Sequence, residues 1–249
     1  MTTTAFDLSA KLLTSDSRWS ACTDDGTAIA YLDDDVGFDK IECAHGNAFL
    51  FAGNSQVIDA WKNFLRSGPL SAEGRPQIAG IALLVAEMAS GAVIYAYGQD
   101  IALPNAQNPT MPVAIFAGSG SIWAAHCWNV NRCGRKAIDS AKAGDKFTGG
   151  ATKFLELDSG NHNLANSISV EQMKTEFLKK GMVMYINSAQ QPQPLTTAAA
   201  NDPKVKELCD RIAQGQATVS APCDAMWMNP SQQDEDRLDA VLNQIFAAK

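Results

Sequence analysis

The first part of the chain consists of short β-prone runs separated by turn-forming residues. These runs occupy residues 3–7, 11–15, 27–32, 40–43 and 47–51. Short runs of this kind, punctuated by Gly, Asp or Asn, are typical of antiparallel strands joined by tight turns. We therefore predict that the chain opens with a β-hairpin and continues as a β-rich unit.

Helices and strands in blocks follow this opening. Apolar residues at helical spacing begin after Ser55 and stop at Gly68-Pro69, which predicts one helix. Residues 78–85 fit either a strand or a helix, whereas the apolar runs at 93–97 and 113–117 indicate buried strands. The remaining predictions are a strand at 151–157 and helices at 121–128 and 135–143. Because these elements do not alternate as βαβ units, we expect sheets packed with helices.

The composition changes after Gly160. Asn, Gln, Ser and Pro become frequent, and residues 190–194 read Gln-Gln-Pro-Gln-Pro, which is typical of a linker. Two helices are predicted beyond this point, at 204–213 and 233–248. The sequence therefore predicts a main domain at residues 1–160 and a C-terminal extension at 161–249.

Charge and composition exclude several classes of protein. The 249 residues carry 20 Lys and Arg against 27 Asp and Glu, a net charge of −7, and no basic cluster that would bind nucleic acid. No apolar window is long enough for a membrane span, and the first residues lack the basic and apolar regions of a secretory signal. Six cysteines are too few for a disulfide scaffold. We expect a soluble, cytoplasmic protein.

A threonine directly follows the initiator methionine. The hydroxyl of an N-terminal threonine is a nucleophile when its own free α-amine, with a pKa of about 7.7 to 8.0, takes the proton. A small residue at position 2 permits removal of Met1, so Thr2 is the first candidate. Thr3 and Thr4 are alternatives that require further trimming.

Several motifs then occur in the order seen in one family of hydrolases. These motifs are Asp16-Ser17-Arg18, Lys40, Phe51-Ala52-Gly53, Gly118-Ser119-Gly120-Ser121 and Asp145-Lys146-Phe147-Thr148-Gly149-Gly150. The chain resembles proteasome-type N-terminal-nucleophile hydrolases over residues 2–157. Its Met-Thr-Thr opening looks like that of the HslV peptidase, and the segments around Ser17 and Gly53 also look like the bacterial relative Anbu.

The resemblance implies a role for each matching residue. Thr2 is the expected nucleophile, and Asp16 and Lys40 are the charged pair that positions it, with Arg18 in support. The N–H of Gly53 matches the donor that stabilises developing negative charge on the substrate oxygen. Ser119 and Asp145 match the family's hydrogen-bonding pair near the amine, and Thr148 matches the hydroxyl position of the family's Ser-Gly-Gly or Thr-Gly-Gly turn.

The resemblance also implies an architecture and an activity. The expected fold is an α+β, four-layer αββα sandwich with a C-terminal extension. The expected activity is hydrolysis of a peptide or protein through an acyl-enzyme on Thr2, without a metal or an organic cofactor. Assembly into a homo-oligomer is expected by analogy with the family, and whether an ATPase feeds the enzyme stays open.

A second interpretation remains open at this stage. Asp16 and Arg18 also fit a structural ion pair at a hairpin end, and Lys40 also fits a solvated strand residue. The chain would then be an inactive interaction, inhibitory or assembly protein of the same fold. His126, Cys127 and Cys133 do not have the spacing of a zinc site, so no metal is predicted.

Overall fold

A computed structural model of the protein describes residues 2–33, 37–109 and 111–247. Within these ranges the chain forms fourteen strands and seven α-helices. The strands are β1 (Thr4–Asp7), β2 (Leu12–Asp16), β3 (Trp19–Cys22), β4 (Ala28–Leu32), β5 (Ile41–Ala44), β6 (Asn47–Asn54), β7 (Ile81–Glu87), β8 (Val93–Tyr97), β9 (Ile101–Pro104), β10 (Pro112–Ala117), β11 (Thr152–Glu156), β12 (Met182–Tyr185), β13 (Gln193–Pro194) and β14 (Ser220–Ala221). The helices are α1 (Ser55–Arg66), α2 (Ser121–Asn131), α3 (Gly134–Gly144), α4 (Val170–Lys180), α5 (Leu195–Asn201), α6 (Pro203–Ala213) and α7 (Gln232–Ala247).

The strands form two antiparallel sheets. The smaller sheet has five strands in the order β11-β2-β1-β10-β9. The larger sheet has nine strands in the order β13-β12-β4-β3-β14-β6-β7-β8, with β5 also paired to β6. The larger sheet thus draws strands from both sides of the boundary predicted near residue 160.

The predicted four-layer αββα sandwich with a C-terminal extension is wrong. The structure is a β-rich, mixed α/β arrangement of two antiparallel sheets with seven helices among the described residues. Residues after 160 are not an appendage, because they supply β12, β13 and β14 to the larger sheet. These strands escaped prediction because each has only two to four residues, and β13 lies inside the apparent linker.

Local sequence signals explain the elements near the N-terminus. The predicted hairpin is confirmed as β1 and β2, and Asp7 orders its turn by accepting hydrogen bonds from Ser9 Oγ at 2.7 Å and Ala10 N at 3.1 Å. Asn54 caps α1 by accepting from Gln56 N at 2.9 Å and Val57 N at 3.4 Å. The cap fixes where β6 ends, and the turn sets the hairpin register that brings Asp16 beside Thr3 at the opposite end, where the candidate site lies.

The ambiguous segment at residues 78–85 is a strand. β7 pairs with β6 on one side and β8 on the other, and Leu83, Leu84 and Val85 are fully buried. A strand buried on both faces carries a continuous apolar run, which periodicity alone does not separate from a buried helix. The tertiary position of this segment therefore decided its conformation.

Three apolar clusters hold the elements together. One contains Phe6, Leu13, Leu50 and Leu84 and joins the two sheets. A second packs α2 and α3 against the smaller sheet through residues such as Trp128. The largest cluster packs the remaining helices on the larger sheet. Each fully buried large apolar side chain contributes about 1.5–3 kcal/mol, so these clusters fix the sheets that carry the site.

The sequence analysis missed several other elements. β3, β9, α4 and α5 had no counterpart among the predictions, although α4 begins with a capping box formed by Ser169 and Gln172. In the part of the chain described here, none of the helices combines the length and the apolar character needed to cross a bilayer.

Candidate functional site

Three parts of the chain meet at Thr2. The pairing of β1 with β2 continues beyond Thr4, because Asp16 N donates to Thr3 O at 3.1 Å, so Asp16 lies beside the N-terminal residues. Lys40 precedes β5 and extends the pairing of that strand, because Phe51 N donates to Lys40 O at 2.8 Å. The two sheets thus bring together residues that are far apart in sequence.

The Thr2 hydroxyl lies between a carboxylate and an amine. Its Oγ1 donates to Asp16 Oδ1, and Lys40 Nζ lies 2.6 Å from the same Oγ1 and 2.7 Å from Asp16 Oδ1. Thr2, Asp16 and Lys40 are at most 1% exposed. A hydroxyl held in this way is polarised and shielded from water.

The Lys40 ammonium has hydrogen-bond acceptors within the protein for all of its protons. Its Nζ also contacts the backbone oxygens of Asp16 and Arg18, each at 2.9 Å, so four oxygens surround a nitrogen with at most three protons. Burial lowers the pKa of the Lys40 ammonium below its ordinary value, and the charge of Asp16 opposes this shift. A charged Lys40 stabilises an alkoxide on Thr2, and a neutral one accepts the hydroxyl proton.

Backbone N–H groups fix the orientation of the Asp16 carboxylate. Oδ1 accepts from Thr3 N at 3.1 Å, while Oδ2 accepts from Arg18 N at 3.2 Å and Gly149 N at 3.0 Å. Because three separate segments supply these donors, the carboxylate has little freedom to turn away from Thr2.

A second hydrogen-bonded cluster lies next to Thr3. Ser119 Oγ donates to Asp145 Oδ2, and Thr148 Oγ1 donates to the same oxygen at 2.6 Å. Thr148 Oγ1 is also 2.7 Å from Thr3 Oγ1. The structure therefore brings Ser119, Asp145 and Thr148 together, but their contact is with Thr3 rather than with the nitrogen of Thr2.

The nitrogen of Thr2 has a different partner. It donates to Pro222 O at 3.0 Å, in the segment that contains β14. The sequence analysis gave no signal for this contact, because β14 has only two residues in a region of polar composition. Only the paired edges of β3 and β6, which are distant in sequence, define where β14 lies.

Gly53 and Arg18 take positions that differ from their expected roles. Gly53 lies one residue before the end of β6, opposite Ile81 and Ala221, with φ of 120°, and a Cβ there would clash with Gly80 O. Among the described contacts none joins Gly53 directly to Thr2. The Arg18 guanidinium pairs with Asp33 at 2.6 Å, so Arg18 supports the site through its backbone N–H and carbonyl rather than its side chain.

Gly118 provides the space that the N-terminal residues need. It follows β10 with φ of 96°, and a Cβ at this position would overlap the carbonyl group of Thr2. Gly120 N donates to Thr2 O at 3.3 Å. Gly118 therefore leaves room for the Thr2 carbonyl group, and the N–H of Gly120 binds it.

A cavity of about 310 Å³ lies beside this arrangement. It is bordered by β3, by Phe147 and by the segment around β14, including Pro222, which contacts Thr2. Residues 2–33, 37–109 and 111–247 contain no group of three or more His, Cys, Asp or Glu side chains arranged to hold a metal ion. The chemistry available here is that of a hydroxyl with an adjacent amine and carboxylate.

No protein-family model matches this chain, and no curated protein matches its sequence. The candidate site therefore stands on the geometry of its own residues.

Proposed function

We propose that the protein is a threonine-type N-terminal-nucleophile peptidase or amidase. The observation that carries this proposal is the placement of Thr2 Oγ1 between Lys40 Nζ and the Asp16 carboxylate in a fully buried cluster. A threonine hydroxyl is a weak nucleophile unless an adjacent base takes its proton and a positive charge stabilises the alkoxide. In this cluster Lys40 supplies the positive charge, and removal of Met1 frees the α-amine of Thr2 to act as the base.

The reaction proceeds in two steps once Met1 is removed and Thr2 carries a free α-amine. The hydroxyl oxygen attacks the substrate carbonyl carbon, its proton passes to the α-amine, and the amine of the departing fragment takes that proton as the C–N bond breaks. Water then attacks the ester on Thr2 and releases the acid. Lys40 stabilises negative charge on the oxygen of Thr2, and Asp16 keeps Lys40 and Thr2 aligned.

A second candidate function follows from one specific observation. Thr2 is fully buried and its nitrogen is bonded to Pro222, so the described conformation leaves a substrate no access to the nucleophile. An inactive protein that acts through binding would show the same closed arrangement. The peptidase hydrolyses peptides by means of the Thr2 hydroxyl, whereas the inactive binding protein shows no turnover.

Substitution of Thr2 tests the proposal directly. We expect Thr2→Ala to abolish hydrolysis of a fluorogenic peptide and labelling by a threonine-reactive electrophile, while Thr4→Ala, which removes a neighbouring hydroxyl, keeps both. Intact mass of the purified protein establishes whether Thr2 is the first residue, and peptide mapping locates the label. Equal turnover in Thr2→Ala and the unsubstituted protein would refute Thr2 as the nucleophile.

A further inference from the structure

We propose that residues 218–223 form an internal pseudosubstrate strand, which occupies the position of an extended peptide substrate and must leave before hydrolysis begins. This inference rests on the proposed function and deepens it. It assigns both a mode of substrate binding and an autoinhibited resting state to this chain.

The segment fills a gap between two strands that do not pair with each other. β3 pairs with β4 on one edge, and β6 pairs with β7 on one edge and with β5 along residues 47–50 of the other. β14 covers what remains, with Ser220 opposite both Ser20 and Asn54 and Ala221 opposite Gly53. Without β14, two strand edges with free backbone N–H and carbonyl groups would face each other, which is a site for an added extended peptide.

The same segment reaches the nucleophile. Directly after β14, the carbonyl oxygen of Pro222 lies 3.0 Å from Thr2 N. An extended chain in this gap therefore places a peptide carbonyl next to the residue that is proposed to attack one. Ala221 lies opposite Gly53, so the occupant also brings that glycine and Thr2 into contact with one continuous backbone.

The side chains of the segment indicate which substrates fit. Ser220 and Ala221 are 5% and 0% exposed, so the positions that they occupy accept small side chains between packed elements. The cavity of about 310 Å³ borders Ser220 and Pro222 and extends along β3 and Phe147. We therefore assign the substrate as an extended peptide with small residues at the two positions that precede the carbonyl next to Thr2.

The pairing that holds the segment is short, and its flanks are open. β14 has two residues, residues 213–216 before it are exposed, and Trp227 and Met228 after it are 87% and 51% exposed. Val219 and Cys223, which are at most 2% exposed, anchor its two ends. The closed form is thus the resting state, and release of these anchors opens the gap.

Excision of the segment tests the inference. A recognition site for a specific endoprotease is inserted between Gly215 and Gln216, which are both exposed, and another between Asn229, which is exposed, and Pro230, which is half-buried. After cutting and removal of the fragment, we expect a fluorescein-labelled peptide of residues 216–224 to bind the protein, and a scrambled peptide not to bind. The protein cut at one site only retains the tethered segment and serves as the control.

Turnover provides the second measurement. We expect the doubly cut protein to hydrolyse a fluorogenic peptide with Ser-Ala-Pro before the cleaved bond at least ten-fold faster than the intact chain, and the 216–224 peptide to reverse this gain. Ala221→Lys places a charged side chain at this buried position and so disfavours the closed form. We expect it to raise turnover in the intact chain. Gln216→Lys adds the same charge at an exposed position and is expected to leave turnover unchanged.

The outcomes separate the two proposals. Peptide binding that the Ser-Ala-Pro substrate displaces, without any hydrolysis, supports the occupied strand position and refutes the peptidase. Turnover that is the same in the intact, doubly cut and Ala221→Lys proteins refutes the inference and leaves the peptidase standing. Failure of the doubly cut protein to bind the 216–224 peptide, together with unchanged turnover in Ala221→Lys, also overturns the inference.

Discussion

Two buried lysine–aspartate clusters lie back to back in this protein, and adjacent residues belong to different ones. Lys40 pairs with Asp16 at 2.7 Å, whereas Asp39 pairs with Lys153 at 3.1 Å, and all four side chains are at most 2% exposed. Asp39 also accepts from Ala165 N at 2.6 Å and Asn166 N at 3.1 Å. Lys40 thus belongs to the Thr2 site, whereas Asp39 anchors the loop at 163–166.

The difference between the clusters lies in what surrounds the pair. In the Asp39 cluster the partners are backbone and amide groups, and Lys62 joins it through Asp39 O and through Asn166 Oδ1 at 2.8 Å. In the Asp16 cluster a hydroxyl lies between the two charges, and a segment held by a two-residue strand covers it. A buried ion pair is therefore weak evidence of chemistry by itself. The adjacent threonine hydroxyl and the covering segment identify the candidate site.

The largest expected effect is on turnover, and it distinguishes Lys40 from Lys153. Lys40→Met removes the group that stabilises an alkoxide on Thr2, so we expect turnover of a fluorogenic peptide to fall by about 10²–10³-fold. Lys153→Met removes a buried lysine of the other cluster and is expected to keep turnover within about two-fold of the unsubstituted protein. Both variants are measured in the Ala221→Lys background, which is expected to open the gap. Equal losses of turnover in Lys40→Met and Lys153→Met would contradict a special role for Lys40.

The next prediction concerns stability in the Asp39 cluster. Asp39→Asn removes a buried carboxylate that pairs with Lys153 and accepts hydrogen bonds from two backbone N–H groups, so we expect the free energy of unfolding in urea to fall by about 3 kcal/mol. Asp158→Asn removes an exposed partner of Lys11 and is expected to change it by less than about 1 kcal/mol. A fall in turnover with Asp39→Asn at unchanged stability would place Asp39 in the chemistry instead.

A pH dependence of stability is expected from Lys62. Burial lowers the pKa of the Lys62 ammonium to about 8, whereas the unfolded residue keeps a pKa near 10.5. Between these values the unfolded chain binds the proton that the folded chain has lost, so the free energy of unfolding rises with pH. The expected gain between pH 7.5 and 9.5 is about 2 kcal/mol relative to Lys62→Met. Parallel curves for the two proteins would contradict the assignment.

The smallest predicted effect concerns the Ser119, Asp145 and Thr148 cluster. Thr148→Val removes the hydroxyl that contacts both Thr3 and Asp145, which costs about 1 kcal/mol of stability. Because this cluster contacts Thr3 rather than the nitrogen of Thr2, we expect turnover to stay within about three-fold. A much larger loss of turnover, with stability intact, would show that the cluster acts on Thr2 after all.

Much of the local structure was predictable. The hairpin of β1 and β2, the helices α1, α3 and α6, and the strands β8 and β10 follow from period and from turn residues, although β8 is only partly buried. The conformation of residues 81–87 was not predictable, because it depends on pairing with β6 and β8, which come from other parts of the chain. The fold class was wrong because the short strands after residue 160 carry no alternating pattern of their own.

The sequence by itself determined which chemical groups the chain carries and which local elements present them: a threonine at position 2, an aspartate at the end of the first hairpin, a lysine before β5, and glycines where the backbone must approach closely. Only the tertiary structure decided that Thr2, Asp16 and Lys40 share one buried point, that Asp39 and Lys153 form a separate cluster, and that residues 218–223 cover the gap beside Thr2. The physical reason is that periodicity and turn chemistry act over a few residues. Ion pairs and strand positions depend on sheet edges that residues from both ends of the chain complete.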